Sequence, residues 1–581
     1  MRIPALSPCL GGILPVALAA SRSPPYHAEI SRYRHGFSRR KKDSELSDFE
    51  EQDFFPMHCS TRFLSILLIY VPNTKLFPLN FTKMTCFQSF YDTIKAKQST
   101  IGTDVDSTPK EAIHMSEFLL ALDDVLYYPI LIIVLLAAGL YFTFTTGFVQ
   151  FRWLRQSIRV IMEKPEKEGS ISSFQALMVS TASRVGTGNI IGISTALCLG
   201  GFGSVFWMWA IAMIGSATAF IESTLAQVYK RKDANGDSYG GPAYYIETAL
   251  HNKTLAIAFA IALIVTYAGG FNLLASYNLQ STFSVYGFYD KTTTPWIIGG
   301  LLAVTVGYCV MGGGKRIVHV TGTLVPIMGV LYVLLSLAII LMHLDMIPSV
   351  LGAVFADAFN FQKILGGISA SCLMFGIKRG LYSNEAGVGS APNAAAAADV
   401  SHPAQQGLVQ MLSVVIDTIL CTCTALICMF SGIIPTKEMA GAPYVQAATQ
   451  VDFGAFGPIM ITFAMVLFAF TTLLGNLFYV DNCLAYLNGG KTPSKSTMTI
   501  YRIIAVIVIF VGAGMSMDNA WALADITMAF MCLTNIPSIM AMNKTAIAVM
   551  KDYGRQLAEG KKPVFKAKSI GLDDSNLDFW K

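Results

Sequence analysis

Residues 180–192 read STASRVGTGNIIG and lie in the middle of a long apolar segment. Gly186 and Gly188 stand two positions apart there, next to Thr187 and Asn189. Glycine costs about 1 kcal/mol per residue in a helix interior, and a break in mid-membrane frees backbone groups that lipid cannot satisfy. Such a break is tolerated where it lines a cavity, because the half-helix N-terminus then attracts an anion and the freed carbonyls hold a cation. The stretch therefore predicts a binding site inside a broken membrane helix.

The alternative is that these glycines serve close packing between helices, as small residues do in GxxxG contacts. That interpretation explains Gly200, Gly201 and Gly203 well. It explains Asn189 beside two glycines less well, because a polar amide gains nothing from tight packing. The binding-site interpretation is therefore favoured for residues 186–189, and the packing interpretation for residues 200–203.

A second stretch, residues 372–398, reads CLMFGIKRGLYSNEAGVGSAPNAAAAA. Gly376 and Gly380 flank the charged pair Lys378 and Arg379. No continuous lipid-facing helix would have such a sequence. An ordinary cytoplasmic loop is the alternative, but the later part of the stretch is poor in charge and rich in small residues. Corresponding broken segments in two halves of a chain are typical of transporters built from inverted repeats.

The composition indicates a polytopic membrane protein. The chain has 581 residues, of which 53% are hydrophobic and 14% charged, whereas a soluble domain usually carries about 25% charged residues. Segments that approach the roughly 20 apolar residues of a membrane helix occur eleven times. They are residues 125–148, 174–200, 202–229, 254–284, 295–312, 320–343, 362–380, 406–432, 455–487, 499–515 and 518–543. The two broken stretches fall in the first and sixth of the ten spans that follow the N-terminal one.

Lysine and arginine cluster in every second loop. The series starts with Arg152, Arg155 and Arg159 after the first span and includes Lys378 and Arg379 at the end of the seventh. Cytoplasmic loops carry an excess of these residues, so the pattern predicts that the first span starts outside and that the C-terminus lies inside. The net charge of +5 lies mostly beside apolar runs, which argues against a nucleic-acid partner.

Residues 1–114 differ from the rest, with a basic run and only short apolar pieces. They are interpreted as a disordered extension or as an upstream stretch joined to a protein that starts at Met115. The expected organisation is therefore a transporter domain over residues 115–553, preceded by this extension and followed by a cytoplasmic tail over residues 554–581.

The chain resembles the alanine or glycine:cation symporter family of bacteria and archaea. The matching sequence segments are VGTGNIIG (185–192), GGFGSVFWMWAIAMIG (200–215), IESTLAQVYK (221–230), GGPAYYIE (240–247), SNEAGVGSAPNAAAAA (383–398) and HPAQQGLVQMLSVVIDT (402–418). The resemblance implies the all-α leucine-transporter fold of the amino acid–polyamine–organocation superfamily. That fold has a 5+5 inverted repeat, here with one extra N-terminal helix. The resemblance also implies import of small neutral amino acids, alanine or glycine, coupled to sodium or less often to protons.

The resemblance also implies where the substrate lies. The backbone around Gly186, Thr187, Gly188 and Asn189 should receive the amino acid carboxylate, since free N–H groups at a half-helix N-terminus suit an anion. Phe375 and Gly376 should lie near the substrate side chain and ammonium group, where an aromatic beside a glycine would admit alanine and exclude larger side chains.

For sodium, the resemblance implies the backbone carbonyls of Ala182 and Val185 together with the hydroxyls of Thr471 and Thr472. The alternative for the two threonines is that their hydroxyls bond back to the preceding helical turn, which is common in membrane helices. No other cofactor is expected. The eight cysteines from Cys198 to Cys532 lie in apolar stretches without a CxxC pair and are interpreted as small buried hydrophobic residues.

Ionisable residues in mid-membrane are expensive and need partners. Arg184 lies within the first broken stretch, and Glu222, Glu385 and Asp417 are the carboxylates that could pair with it. Such a pair is either a gate that opens during transport or a static structural contact, and the sequence leaves both open.

Other classes of protein fit less well. The chain has no HExxH or GxSxG motif for an intramembrane enzyme and no P-loop for ATP-driven transport. A channel would need a ring of repeated elements, whereas the breaks are unique within the chain. The competing interpretation is a proton-coupled carrier for another small solute. The sequence carries no information on oligomeric state.

Overall fold

The computed structural model describes residues 110–233, 236–360 and 371–581, and they are almost entirely helical. The α-helices are α1 Lys110–Val125, α2 Ile132–Thr145, α3 Val149–Arg152, α4 Leu154–Ile161, α5 Ser173–Arg184, α6 Ile193–Gly200, α7 Ser204–Val228, α8 Pro242–Leu250, α9 Lys253–Ile264, α10 Phe271–Ser281, α11 Thr294–Val310, α12 Gly314–Met342, α13 Ile347–Ala358, α14 Cys372–Asn384, α15 Ala391–Ala397, α16 Pro403–Phe430, α17 Ala442–Phe453, α18 Phe456–Leu487, α19 Lys495–Gly512, α20 Met517–Ala541 and α21 Asn543–Ala558.

Within the described residues, π-helical segments at Leu126–Leu131, Gly188–Gly192 and Val265–Gly270 connect some of these helices. Short 3-10 helices lie at Thr282–Val285, Leu344–Met346, Lys437–Met439 and Ala567–Ile570. The strands β1 Arg231–Lys232 and β2 Ser238–Tyr239 form a small antiparallel hairpin in which Arg231 is paired with Tyr239.

Seven helical segments of the described chain are long and apolar enough to cross a membrane. They are Ser204–Val228, Lys253–Val285, Gly314–Met342, Pro403–Phe430, Phe456–Leu487, Lys495–Gly512 and Met517–Ala541. Ile132–Thr145, Gly188–Gly200 and Thr294–Val310 are shorter apolar helices. The start of the predicted span at 362–380 lies outside the described residues, so the count of eleven stays a prediction.

The first broken helix consists of α5, the π-helical segment and α6. It starts with a capping box in which Ser172 accepts from the N–H of Gln175, while the Gln175 side chain accepts from the N–H of Ser172. The α-helix ends at Arg184, and Val185 has non-helical angles, with φ −79° and ψ 87°. The predicted break is therefore present where the glycines stand.

The second broken helix consists of α14 and α15. Gly376 and Gly380, which the sequence includes in the irregular stretch, lie inside α14, and the break runs from Glu385 to Ser390. Lys378 and Arg379 are buried inside α14 and form ion pairs there. The expectation that these two cations lie at a basic cytoplasmic loop is wrong, because carboxylates on neighbouring helices neutralise them within the bundle.

The long helix α7 packs along α16, α14 and α15 at the centre of the described bundle. The contact is close because of glycine: a Cβ added at Gly376 would lie 2.5 Å from the Ser204 carbonyl oxygen. Likewise, a Cβ at Gly203 would lie 2.5 Å from the backbone nitrogen of Ala358 in α13. The packing interpretation is therefore confirmed for Gly203.

The helix α1 begins at Lys110, five residues before Met115. It is joined to α14 by the buried ion pair between Asp123 and Lys378 that is described below. The rest of the predicted extension, residues 1–109, lies outside the described residues.

The C-terminal residues fold back over one end of the bundle. The N–H of Phe565 donates to the carbonyl of Ser401, 3.0 Å away, and the Trp580 indole donates to the carbonyl of Gln227 at 2.8 Å. Beneath them the amine of Lys230 donates to the Ala398 carbonyl at 3.2 Å and faces the Trp580 ring. This segment, residues 563–581, therefore covers the last turns of α7 and α15, and we call it the C-terminal strap.

Candidate functional site

The first break is held open by Asn189. The N–H of Gly186 donates to Asn189 Oδ1 at 2.8 Å, whereas a continuing α-helix would direct it at the carbonyl of Ala182. The Nδ2 of Asn189 donates in turn to Asp417 Oδ1 of α16 at 2.7 Å, and the hydroxyl of Thr424 donates to the Asn189 carbonyl. The amide side chain thus replaces a helical backbone bond and ties the break to α16.

Thr187 and Gly188 face other helices. The Thr187 hydroxyl oxygen accepts from Asn278 Nδ2 of α10 at 3.0 Å. Gly188 lies against the ring of Tyr382, since a Cβ added there would come within 2.8 Å of that ring. All four predicted residues of the first break are buried. They lie among side chains of α10, α14 and α16 and do not face lipid.

The second break meets the first through Glu385. Its two oxygens accept from the hydroxyls of Ser183 in α5 and Ser390 in the break itself, at 2.8 and 2.7 Å. The backbone turns at Glu385 with φ 51°, and Gly387 and Gly389 have φ 88° and 89°. A carboxylate on one broken helix is therefore bonded directly to the other.

Glu222 of α7 supports the second break from behind. Its Oε1 accepts from the N–H of Gly387 at 3.3 Å, and its Oε2 accepts from Asn535 Nδ2 of α20 at 2.9 Å. Asn535 also donates to the carbonyl of Gly387 and accepts from the Tyr245 hydroxyl. Backbone groups that lipid could not satisfy are thus bonded to polar side chains, as a break inside a membrane protein requires.

The two threonines predicted for sodium differ in their surroundings. Thr472 Oγ1 lies so close to Gly186 that a Cβ there would collide with it. This oxygen is buried and has no hydrogen-bond partner in the described part of the chain. Thr471 Oγ1 instead donates to the carbonyl of Leu467 at 2.9 Å, which is the back-bonding alternative.

Ala182, one of the two residues whose carbonyls are predicted for sodium, lies in the last turn of α5, and Val185 follows the end of that helix directly. The helix α18, which carries both threonines, packs closely against α5: a Cβ at Gly475 would lie 2.8 Å from the Ser183 nitrogen. An oxygen without a partner beside a helix end with freed carbonyls is a suitable place for a bound cation.

Arg184 is buried and forms no ion pair within the described residues. Its Nη1 donates to the carbonyl of Gln410 at 3.0 Å, and its Nε and Nη2 have no hydrogen-bond partner there. Glu222 and Glu385 are bonded instead to neutral groups, as described above. The predicted pairing of Arg184 with Glu222 or Glu385 is therefore not formed in this conformation.

The structure does not bring Phe375 and Gly376 to the first break. A Cβ at Gly376 would contact Ser204 and Trp207, and Phe375 lies against Gly200. The side of the break is closed instead by the ring of Tyr382.

Tyr382 packs on Phe271 and Trp521, with ring centroids 4.8 and 4.9 Å apart. Trp521 also approaches Gly192, where a Cβ would lie 3.7 Å from its ring. We call Phe271, Tyr382 and Trp521 the aromatic wall. Tyr382 could have been found from its place directly before the SNEAGVG motif, whereas nothing in the sequence singles out Trp521 or Phe271.

Two broken helices joined through buried carboxylates, inside a bundle of apolar helices, are typical of a secondary transporter. The comparisons with known proteins agree with that class. The chain belongs to the sodium:alanine symporter family, whose model matches residues 112–567. It is therefore a multi-pass membrane protein.

Among curated proteins, the chain is similar to the amino-acid carrier protein AlsT of Bacillus subtilis, with 40% identity over 77% of this chain and 94% of that one. It is 38% identical to the probable sodium/glutamine symporter GlnT of the same organism, over 79% of this chain and 94% of GlnT. It is 36% identical to the sodium/alanine symporter AgcS of Methanococcus maripaludis, over 73% of this chain and 94% of AgcS.

Proposed function

We propose that this protein is a sodium-coupled symporter that imports small neutral amino acids, alanine or glycine, by alternating access. The observation that carries the proposal is the hydroxyl of Thr472, buried and without a hydrogen-bond partner in the described chain, against the first break at Gly186. A carrier driven by sodium needs oxygen ligands at a point where a broken helix can respond to the ion. The names of AlsT and AgcS support the same class of substrate.

In this proposal the ion lies between the end of α5 and α18, with oxygens from Ala182, Val185 and Thr472. Thr471 remains a candidate ligand only if its hydroxyl leaves the carbonyl of Leu467. The substrate carboxylate lies against residues 186–189, where N–H groups at the start of a half-helix favour an anion.

The aromatic wall supports a small substrate. Tyr382 reaches the place where a side chain on Gly188 would stand, so it limits the space beside the break. Its ring takes the place that the sequence assigns to Phe375 and Gly376. A glutamine side chain would need more room than the side chain of alanine. The probable sodium/glutamine symporter GlnT therefore offers a direct comparison of the size of side chain admitted.

The remaining architecture is proposed as the sequence predicts it. The chain has eleven spans in a 5+5 inverted repeat with one extra N-terminal helix, of the leucine-transporter kind. It lies in a bacterial inner membrane with its C-terminus inside, and it needs no residue before Met115 for transport.

The test is uptake of labelled alanine by the purified protein in liposomes, with an imposed sodium gradient, a proton gradient or neither. The proposal expects uptake with the sodium gradient alone, reduced by excess unlabelled glycine and much less by alaninamide, which lacks the carboxylate. Uptake driven only by protons would favour the competing carrier, and the absence of uptake of both labelled alanine and labelled glycine would exclude the proposed substrate class. Thr472→Ala is the matched variant and should weaken the dependence on sodium.

A further inference from the structure

A buried group of four charges lies beside the aromatic wall. Lys378 and Arg379 are adjacent in α14 and are 6% and 5% exposed. Lys378 Nζ lies 2.6 Å from Asp123 Oδ2 of α1, and Arg379 Nη1 lies 3.5 Å from Asp525 Oδ2 of α20. Lys378 also approaches Asp525, with 3.9 Å between Nζ and Oδ2. Two cations and two carboxylates thus join three helices with no net charge.

The guanidinium of Arg379 has a second contact, which leads towards the site. Its Cζ lies 3.6 Å from the centroid of the Trp521 ring. The Trp521 ring meets Tyr382 edge to face, at 69° between the ring planes. Tyr382 in turn lies against Gly188 at the first break. A continuous series of contacts therefore runs from Asp525 through Arg379 and Trp521 to the candidate substrate position.

Stability alone gives a weak reason for this arrangement, because buried ion pairs are often no more stabilising than apolar residues of similar volume. The Arg379–Asp525 pair also lacks hydrogen bonds at several atoms. Within the described chain no hydrogen-bond partner is found for Arg379 Nε and Nη1 or for either Asp525 oxygen. Charge attraction and the face of the indole thus hold the guanidinium. The flat guanidinium of arginine stacks on the face of a ring, whereas lysine presents a compact point charge.

We propose that Arg379, held by Asp525, is a positioning residue that sets the orientation of Trp521 and, through Tyr382, the size of side chain the site admits. The proposal rests on the proposed function, because it takes the first break as the place of the substrate. It assigns the charged group a role in specificity and leaves sodium binding to α5 and α18.

The experiment compares Arg379→Lys with Lys378→Arg in the full-length protein reconstituted in liposomes. Arg379→Lys keeps the charge beside Asp525 but loses the flat contact with the indole. Lys378→Arg changes the neighbouring cation, which lies over Tyr127 and not over the aromatic wall. The readouts are kcat and KM for alanine, 2-aminobutyrate and valine, together with the apparent sodium affinity at saturating alanine.

Arg379→Lys should lower the preference for alanine over valine about tenfold, the effect expected from losing a desolvated cation–ring contact. The change should appear mainly in KM, with the apparent sodium affinity unchanged. Lys378→Arg should keep the wild-type preference. In a Trp521→Phe background, Arg379→Lys should have less effect than in the wild type, because the two residues then act through one contact.

An unchanged preference in Arg379→Lys, an equal change in Lys378→Arg, or full additivity with Trp521→Phe would overturn the proposal. If Arg379→Lys does not accumulate in the membrane, Asp525→Asn provides the same readout, because it frees the guanidinium while leaving both rings intact. Failure of the proposed function is separate: in that case the wild-type protein itself would show no sodium-driven uptake of alanine.

Discussion

The two breaks use glycine for different physical reasons. In the first break neither Gly186 nor Gly188 has a positive φ, and Thr187 has helical angles of −60° and −24°. A side chain at either glycine would instead collide with Thr472 or Tyr382. In the second break Gly387 and Gly389 have φ 88° and 89°, a conformation that other residues rarely adopt.

Glycine therefore leaves room at the first break and supplies backbone conformation at the second. A run of glycines in a membrane helix therefore does not by itself show which of these two needs is met. Substitutions are expected to damage binding at the first break and folding at the second.

Gly389→Ala should have the largest effect on folding. It adds backbone strain of about 1–3 kcal/mol and places a Cβ 2.8 Å from the Phe259 ring, so we expect a loss of about 3 kcal/mol or more in the free energy of unfolding. Thermal unfolding of the purified protein in detergent measures it. The matched variant is Gly188→Ala, which should bind alanine poorly while losing much less stability. Equal destabilisation by both substitutions would show that the two breaks do not differ as described.

Thr472→Ala should have an intermediate effect, confined to the first break. It removes the buried hydroxyl beside Gly186, so we expect the apparent sodium affinity to fall about tenfold or more, equivalent to at least ~1.4 kcal/mol. Thr471→Ala is the control, since the Thr471 hydroxyl already bonds to Leu467. Sodium titration of alanine uptake separates them. An effect of Thr471→Ala as large as that of Thr472→Ala would mean that both hydroxyls reach the ion.

The smallest expected effect is a pH dependence at the start of α16, which follows the second broken helix in the chain. His402 caps α16, with its Nδ1 accepting from the N–H of Ala404, and burial lowers the pKa of His402 to about 4. In the unfolded chain His402 binds a proton near pH 6.5, whereas in the folded protein it stays neutral until about pH 4. The free energy of unfolding therefore falls as the pH drops from about 6.5 towards 4. Between pH 7 and 6 this costs about 0.7 kcal/mol.

Melting temperatures of the wild type and His402→Asn across this range test the prediction. Asparagine can still cap the helix but does not titrate, so the difference in slope belongs to His402. The corresponding capping box of the first broken helix uses Ser172, which does not titrate in this range. Identical slopes in both proteins would remove His402 as the cause.

Much of the site was predictable because it is local in sequence. The motif at 185–192 predicts the first break, since two glycines next to Asn189 leave few other structures inside a membrane helix. The closeness of Thr472 to the break is not visible in the sequence, and the family resemblance supplied it. The same resemblance did not distinguish Thr471 from Thr472, because a hydroxyl's partner depends on its rotamer and on its neighbours.

The second broken helix was predicted less well. Tyr382 is seven residues after Phe375, which places it about 10 Å further along the helix. The sequence offers glycines both at 376–380 and at 387–389, and only the packing of α14 against α7 shows that the first group stays helical. Asp123 and Asp525, the partners of Lys378 and Arg379, are far from them in sequence, with 255 residues between Lys378 and Asp123. Periodicity therefore cannot reveal these pairs. Their burial is decided by tertiary structure.

The C-terminal strap has a consequence for any opening at that end of the bundle. Because the strap bonds to Gln227 and Ser401 at once, the end of α7 and the start of α16 can separate only if the strap moves with one of them or detaches. Its lysines, such as Lys566 and Lys568, are sites for trypsin, a protease that needs a locally unfolded segment to cut. The rate at which trypsin cleaves the strap, measured with and without the transported amino acid, would therefore report how often the strap is released from the bundle.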